Sequence, residues 1–138
     1  MARRDQRHDL GGLPRLTDES QRLADTYIAY EAGKSDDDFW AWDRMMTLAM
    51  DEPELAWALL LHVVARAPDE QLSAIGAGLL ETLLSQHGTT YGARAVEQGR
   101  RDPRFRECLS AVWLQPGDVP ADVAERFAEL TRGGVRIF

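Results

Sequence analysis

Helix start and stop signals recur along this chain at steps of 13 to 21 residues, which confines it to a packing of short helices. Thr17-Asp18-Glu19 predicts a helix running to about Ala32, with Gly33 as its stop. A capping hydroxyl satisfies a free first-turn amide, and a glycine past the last turn adopts the left-handed conformation at no steric cost. Ser35, with Asp38 three residues on, predicts a second helix to about Met50. Asp51-Glu52-Pro53-Glu54 opens a third, which ends before Pro68, because proline suits a first turn whose amides have no helical acceptor. Pro68-Asp69-Glu70 opens a fourth that stops at Gly88. Thr89-Thr90 opens a fifth, Asp102-Pro103 a sixth, and residues 118–120 a seventh closed by Gly133-Gly134. The apolar end Val135-Arg136-Ile137-Phe138 is expected to dock back on the body. No stretch alternates apolar and polar residues in the manner of a paired strand. The expectation is therefore an all-α domain of six to seven short helices over residues 17–138, with residues 1–16 as an arm or tail. Two architectures fit: a HEAT-like antiparallel stack, whose pitch is about 34 residues per helix pair, or an irregular helical bundle. No repeated residue motif distinguishes them.

Composition narrows the function classes. The chain has 138 residues, 44% hydrophobic and 28% charged, enough to bury a core without disulfides or metal. Its one cysteine, Cys108, excludes an internal disulfide and points to a reducing, cytoplasmic compartment. No apolar run approaches the roughly 18 residues of a membrane span. Residues 1–16 are basic but lack the apolar region of a signal peptide. A net charge of −7 argues against binding along a phosphate backbone, so neither nucleic acid nor membrane is an expected partner. The charge is also lopsided. Residues 17–70 carry thirteen acids and four bases, a net of −9, whereas residues 91–138 carry seven acids and eight bases, a net of +1. An acidic half steers a basic protein partner.

The second helix carries the most distinctive composition. Asp36, Asp37 and Asp38 precede Phe39-Trp40-Ala41-Trp42-Asp43. At 100° per residue Phe39, Trp42, Met46 and Met50 share one face, expected to be the core stripe. Trp40 falls off that stripe, and Asp43 falls inside it, where a carboxylate needs a partner or water. A half-exposed tryptophan among acids suits an interface anchor. The three aspartates lack the later glycine and glutamate of a calcium loop and serve more simply at a helix N-terminus. The third helix is apolar nearly all round and is expected at the centre of the domain. Its His62 has no second histidine or cysteine at ligand spacing, so no metal or cofactor is implied.

The fourth helix has a core face of Leu72, Ile75, Leu79 and Leu83 and an opposite stripe of Ala74, Ala77, Gly78, Glu81 and Ser85. Two mid-helix glycines cost about 1 kcal/mol each relative to alanine. They are expected to admit a neighbouring helix, such as the Ala58 and Ala65 stripe, or a partner or ligand with Glu81 as its carboxylate. Arg100, Arg101, Arg104 and Arg106 form a basic cluster, read as a solvated helix face or a small anion site. Cys108 lies beside Phe105 and Leu109 and is read as a buried small hydrophobe.

Ala56-Trp57, then the run from Ile75 through Gly78, Glu81 and His87-Gly88, then Asp102-Pro103-Arg104-Phe105-Arg106, resemble a bacterial family of small helical domains of unknown function. The resemblance spans residues 20–115 and carries no activity that transfers. Several small acidic helical families accompany bacterial toxins as immunity proteins, so the resemblance implies that role as one option.

Two readings of function follow. The first is a non-enzymatic protein-binding module, most concretely an immunity-type inhibitor that covers the basic cleft of a toxin domain. Asp36, Asp37, Asp38, Trp40, Asp43, His62 and Glu81 would form its partner-binding set, and a homodimer through Trp40 or the Gly/Ala stripe is a related option. The second is a small enzyme or ligand-binding protein with a pocket between helices 3 and 4, which requires His62, Glu81 and His87 to converge.

Overall fold

The computed structural model describes residues 14–132 and the backbone of residues 136–137. The fold is all-α, as expected. Helix α1 (Asp18–Gly33) starts at Thr17, whose hydroxyl oxygen accepts the Ser20 amide at 3.0 Å. It ends on Lys34, one residue past the predicted stop, in the left-handed region (φ 54°). The Lys34 ammonium bonds Glu31 and lies 4.8 Å from the centre of the Tyr30 ring. A 3-10 turn over Asp36–Asp38 leads into α2 (Phe39–Asp51), with the Ser35 hydroxyl accepting from Asp37 rather than from Asp38. Helix α3 (Pro53–Arg66) follows with proline in its first turn. Next, α4 (Leu72–Ile75), a π-helical turn (Gly76–Leu80) and α5 (Glu81–Arg101) run on as one rod, bent at His87 (φ −135°, ψ 30°). The expected stop at Gly88 falls at this break, where His87 leaves the helical region and two helices meet across a kink. Helix α6 (Pro103–Leu109) is capped by Asp102, which accepts the Arg104 amide at 3.0 Å. Strand β1 (Trp113–Leu114), α7 (Ala121–Thr131) and β2 (Arg136–Ile137) complete the described chain. The two strands pair in parallel, Trp113 with Arg136 and Leu114 with Ile137, so the end of the chain does return to the body. Gly133, Gly134, Val135, Phe138 and residues 1–13 lie outside the described residues.

The rod organises the molecule. Helices α1, α2 and α3 pack on one another, and α6 and α7 pack on the rod and on each other. The rod touches α2, α3, α6 and α7. That is the bundle alternative rather than a stack of hairpins, because one long helix contacts both groups instead of only its sequence neighbours. As expected, α3 is central: Ala56, Trp57, Leu59, Leu60, Val63 and Val64 are all buried. The Trp57 ring lies 5.8 Å from that of Tyr91 and 5.7 Å from that of Phe105, tying α3 to the rod and to α6.

Glycines set the close approaches. A Cβ at Gly76 would sit 1.9 Å from the Cys108 carbonyl oxygen, and one at Gly88 would sit 2.0 Å from that of Asp118. The reason for Gly76 is therefore α6 crossing the π-turn, not the Ala58 and Ala65 stripe. Gly78 is different: a Cβ there would meet only the Tyr27 hydroxyl at 3.8 Å and the Met46 methyl at 3.9 Å, ordinary contact distances. The arginine cluster is also structural. Arg104 donates to the carbonyls of Val64 (2.9 Å) and Ala67, and Arg106 donates to that of Gly99 (2.6 Å). Helix ends leave carbonyls unbonded and carry partial negative charge, so guanidinium groups settle there.

The buried face of α2 corrects the sequence reading. Ala41, Met45, Met46, Leu48 and Ala49 are buried, whereas Phe39 and Met50 are 45% and 44% exposed. Asp43 is exposed, not enclosed in an apolar stripe. Met46 and the partly buried Trp42 of the expected stripe do reach the core, but α2 packs against α1, α3 and the rod at once, so its buried arc is centred on Ala41, Met45, Leu48 and Ala49.

The two glycines of the fourth predicted helix should respond oppositely to alanine. In denaturant unfolding, Gly76→Ala is expected to lose about 2 kcal/mol or more through overpacking. Gly78→Ala should hold or gain up to about 1 kcal/mol from helix propensity. Equal destabilisation by both would contradict the packing described.

Candidate functional site

The N-terminal half of α2 carries the strongest candidate. Asp36 and Asp37 are exposed, Asp38 is half-buried, and Asp43 is exposed one turn on. None of these carboxylates has an ion-pair partner within 4.0 Å among the described residues. The helix N-terminus that follows Asp38 stabilises the three aspartates. Trp40 stands among them, 50% exposed, so the reading of Trp40 as off the core holds. Phe39 stacks on Trp42 with ring centres 5.4 Å apart and meets Tyr30 edge-on at 5.8 Å.

Trp40 also borders a cleft of about 300 Å³ between α1, α2 and the start of α3. The buried Leu23 and Leu48 and the partly buried Leu55 form its apolar lining. Arg22 and Arg44 supply cationic groups at the same cleft. Sequence reasoning missed this cleft, because it joins residues from three helices and only Trp40 signalled it.

The three residues of the pocket reading are engaged separately. His62 lies beside Arg66 and Asp25, which pair at 3.1 Å. Its Nε2 is buried without a hydrogen-bond partner, and burial, reinforced by Arg66, holds its pKa below the ordinary imidazole value. Glu81 Oε1 accepts the Trp113 amide at 2.8 Å, fixing the start of β1 to the rod. His87 Nε2 meets the Met50 carbonyl at 2.8 Å, at the end of α2. Glu81 and His87 thus serve different junctions, and His62 joins neither of them. The cleft at Trp40 includes none of the three.

A second polar contact joins α3 to the rod. The Tyr91 hydroxyl donates to Glu54 Oε1 at 2.6 Å, and Arg94 bonds the same carboxylate at 3.1 Å. The Tyr91 hydrogen bond holds the Glu54 pKa below its ordinary value, and burial pushes Tyr91 up to about 12. Burial likewise pushes the Cys108 thiol up to about 12, so it is not a thiolate at neutral pH. Among the described residues no group of three histidine, cysteine, aspartate or glutamate side chains is placed to hold a metal. No helix among them is long and apolar enough to cross a membrane.

The depressed His62 pKa gives a signed pH effect. As pH falls below the ordinary imidazole value, the unfolded chain takes up this proton before the folded one does, and stability is lost. Melting temperatures measured from about pH 7 down to about pH 5 should fall more steeply for the wild type than for His62→Gln. Parallel curves would remove His62 as a source of the slope.

No curated protein and no solved structure matches the chain. Of the residues singled out in the sequence for the resemblance, Trp57, Glu81, His87, Gly88, Asp102 and Phe105 lie at junctions between elements, whereas Gly78 makes only ordinary contacts. A family model matches residues 29–134, so the chain belongs to a family of unknown function, DUF6869.

Proposed function

We propose that this chain is a non-enzymatic protein-binding module whose partner is basic, and that it acts as an immunity-type inhibitor covering the cationic cleft of a bacterial toxin domain. The observation that carries the reading is the exposed, unpaired set of Asp36, Asp37 and Asp43 around a half-exposed Trp40. Like charges this close repel one another in the free protein. A cationic partner relieves that repulsion, while Trp40 supplies the large, rigid contact area of an interface anchor. Mutual electrostatic steering speeds the encounter and makes it sensitive to salt. His62 and Glu81 are less suited to the partner face than the sequence suggested, because each is turned toward a neighbouring helix or strand. An enzymatic pocket formed by His62, Glu81 and His87 finds no support in their separate hydrogen bonds and neighbours.

The test is capture of partners from lysate of the source organism by tagged wild type and by the double variant Asp37→Arg, Asp43→Arg. The wild type should retain one stoichiometric basic protein that leaves as salt rises, and the double variant should not retain it. Trp40→Ala should weaken binding of the purified partner by about 2 kcal/mol or more. Co-expression should suppress that partner's toxicity. An acidic partner, or one held equally by the charge-reversed variant, would overturn the reading. A wild type that captures only itself and sediments as a dimer would shift the assignment to a homodimeric scaffold.

A further inference from the structure

The acidic half of the chain contains four basic residues, Arg22, Lys34, Arg44 and Arg66. Lys34 is paired with Glu31 and Arg66 with Asp25. Arg22 and Arg44 have no carboxylate within 4.0 Å among the described residues, although this half is rich in exposed acids. Both line the same cleft beside Trp40. Two guanidinium groups without a carboxylate partner among the described residues thus line one cleft that also carries leucine and tryptophan side chains. They are also suited to a carboxylate, which accepts two parallel N–H bonds from a guanidinium.

We propose that the cleft binds a small free carboxylic acid with an apolar body. The carboxylate lies between Arg22 and Arg44, and the body packs against Trp40, Leu23, Leu48 and Leu55. The cleft volume, about 300 Å³, is at the lower end of small-molecule sites. Leucine side chains bury the apolar part, and the tryptophan ring adds a flat face for a planar group. The Ser20 hydroxyl, also in the lining, accepts from Thr17 at 3.2 Å and keeps its own proton for a ligand oxygen. Glu19 is the one acid of the lining. It restricts the site to ligands of single negative charge, since a second anionic group would meet a carboxylate. This inference shares Trp40 with the basic-partner reading but rests on Arg22, Arg44 and the leucines of the cleft, not on the carboxylates around Trp40.

The experiment uses the full chain and three probes of one shape: phenylacetate, phenylacetamide and benzylamine. Binding is followed by two-dimensional amide NMR, including the tryptophan indole signals. Phenylacetate should shift the Trp40 indole and the amides of residues 19–23 and 44–48 in a saturable way. The neutral amide and the amine should bind about tenfold more weakly or worse. Arg44→Gln should lose a similar factor for phenylacetate while leaving phenylacetamide unchanged, with the melting temperature as a check on folding. Equal binding of acid and amide would overturn the proposal, as would shifts confined to other residues or no saturable shift with phenylacetate. A peptide ending in phenylalanine that binds where phenylacetate does not would also overturn it, because the site would then read a chain terminus. If Arg44→Gln fails to fold, the comparison of the three probes on the wild type still decides. None of these outcomes depends on whether Asp37 and Asp43 bind a protein.

Discussion

Two carbonyl oxygens pressed against two glycines fix how this chain packs. The Cys108 carbonyl rests where the side chain of Gly76 would be, and the Asp118 carbonyl where that of Gly88 would be. Any side chain at either place would push α6 or the segment before α7 away from the rod. The same face of the rod continues with Gly92 against Val123 and Gly99 against Leu130, where an added Cβ would lie 3.0 and 3.2 Å from the neighbouring side chain. The rod therefore commits one side to α6 and α7 and turns another toward α2 and α3. It meets α2 through the second half of that helix: Met46 lies near Gly78 and accepts from the Thr82 hydroxyl at 3.5 Å, and the Met50 carbonyl meets His87. The first half of α2 is left uncovered by the rod, and that is where Phe39, Trp40 and Asp43 stand exposed.

Much of the local structure was legible because caps and stops are short-range chemistry. Thr17, Ser35 and Asp102 each accept an amide within three residues, and Pro53 and Pro103 each open a helix, so sequence alone located those starts. Gly88 reads as a stop, and the break between two helices does fall there, at His87. A glycine can signal a left-handed stop or a close approach, and only the neighbour from residue 118 decides which. The face of α2 was misassigned for a related reason. The sequence pattern centres the stripe on Phe39, Trp42, Met46 and Met50, but three neighbours surround α2 and shift its buried arc to Ala41, Met45, Met46, Leu48 and Ala49. The arginine cluster near residue 104 looked like free positive charge because the carbonyls it bonds, at Val64 and Ala67, are distant in sequence. Likewise the cleft at Trp40 draws on three helices, and no local pattern encodes its assembly.

The family match over residues 29–134 includes the candidate site, whereas the residues singled out in the sequence for the resemblance lie elsewhere. Trp57 packs on Tyr91 and Phe105, Glu81 holds β1, His87 meets the end of α2, and Asp102 caps α6. These are joints. Each of these residues makes a hydrogen bond or a ring contact inside the bundle. A function carried by the exposed start of α2 does not need any of them directly. It needs the joints only to hold α2 at the angle that leaves its first turns uncovered.

The ion pairs sharpen the charge asymmetry beyond the bare counts. In the second half, Arg94 pairs with Glu54, Arg100 with Glu97 and Arg104 with Asp69, while Arg106 bonds helix-end carbonyls. Much of the positive charge there is bound within the fold, and part of it is spent on acids of the first half. In the first half the pairs remove Asp25, Glu31, Glu54 and Asp69 from the free set, and Asp36, Asp37, Asp38 and Asp43 stay unpaired. Nine acids of this half thus have no ion pair among the described residues: Asp36, Asp37, Asp38 and Asp43 around the start of α2, and Asp18, Glu19, Asp51, Glu52 and Glu70 elsewhere in the half. Against that background Arg22 and Arg44 are local exceptions of opposite sign on the two helices that border Trp40. A surface that is negative at long range and positive within one cleft separates two tasks by distance. The long-range field acts on a whole protein approaching in solvent. The cleft acts on a group already within contact, where screening by salt is weakest.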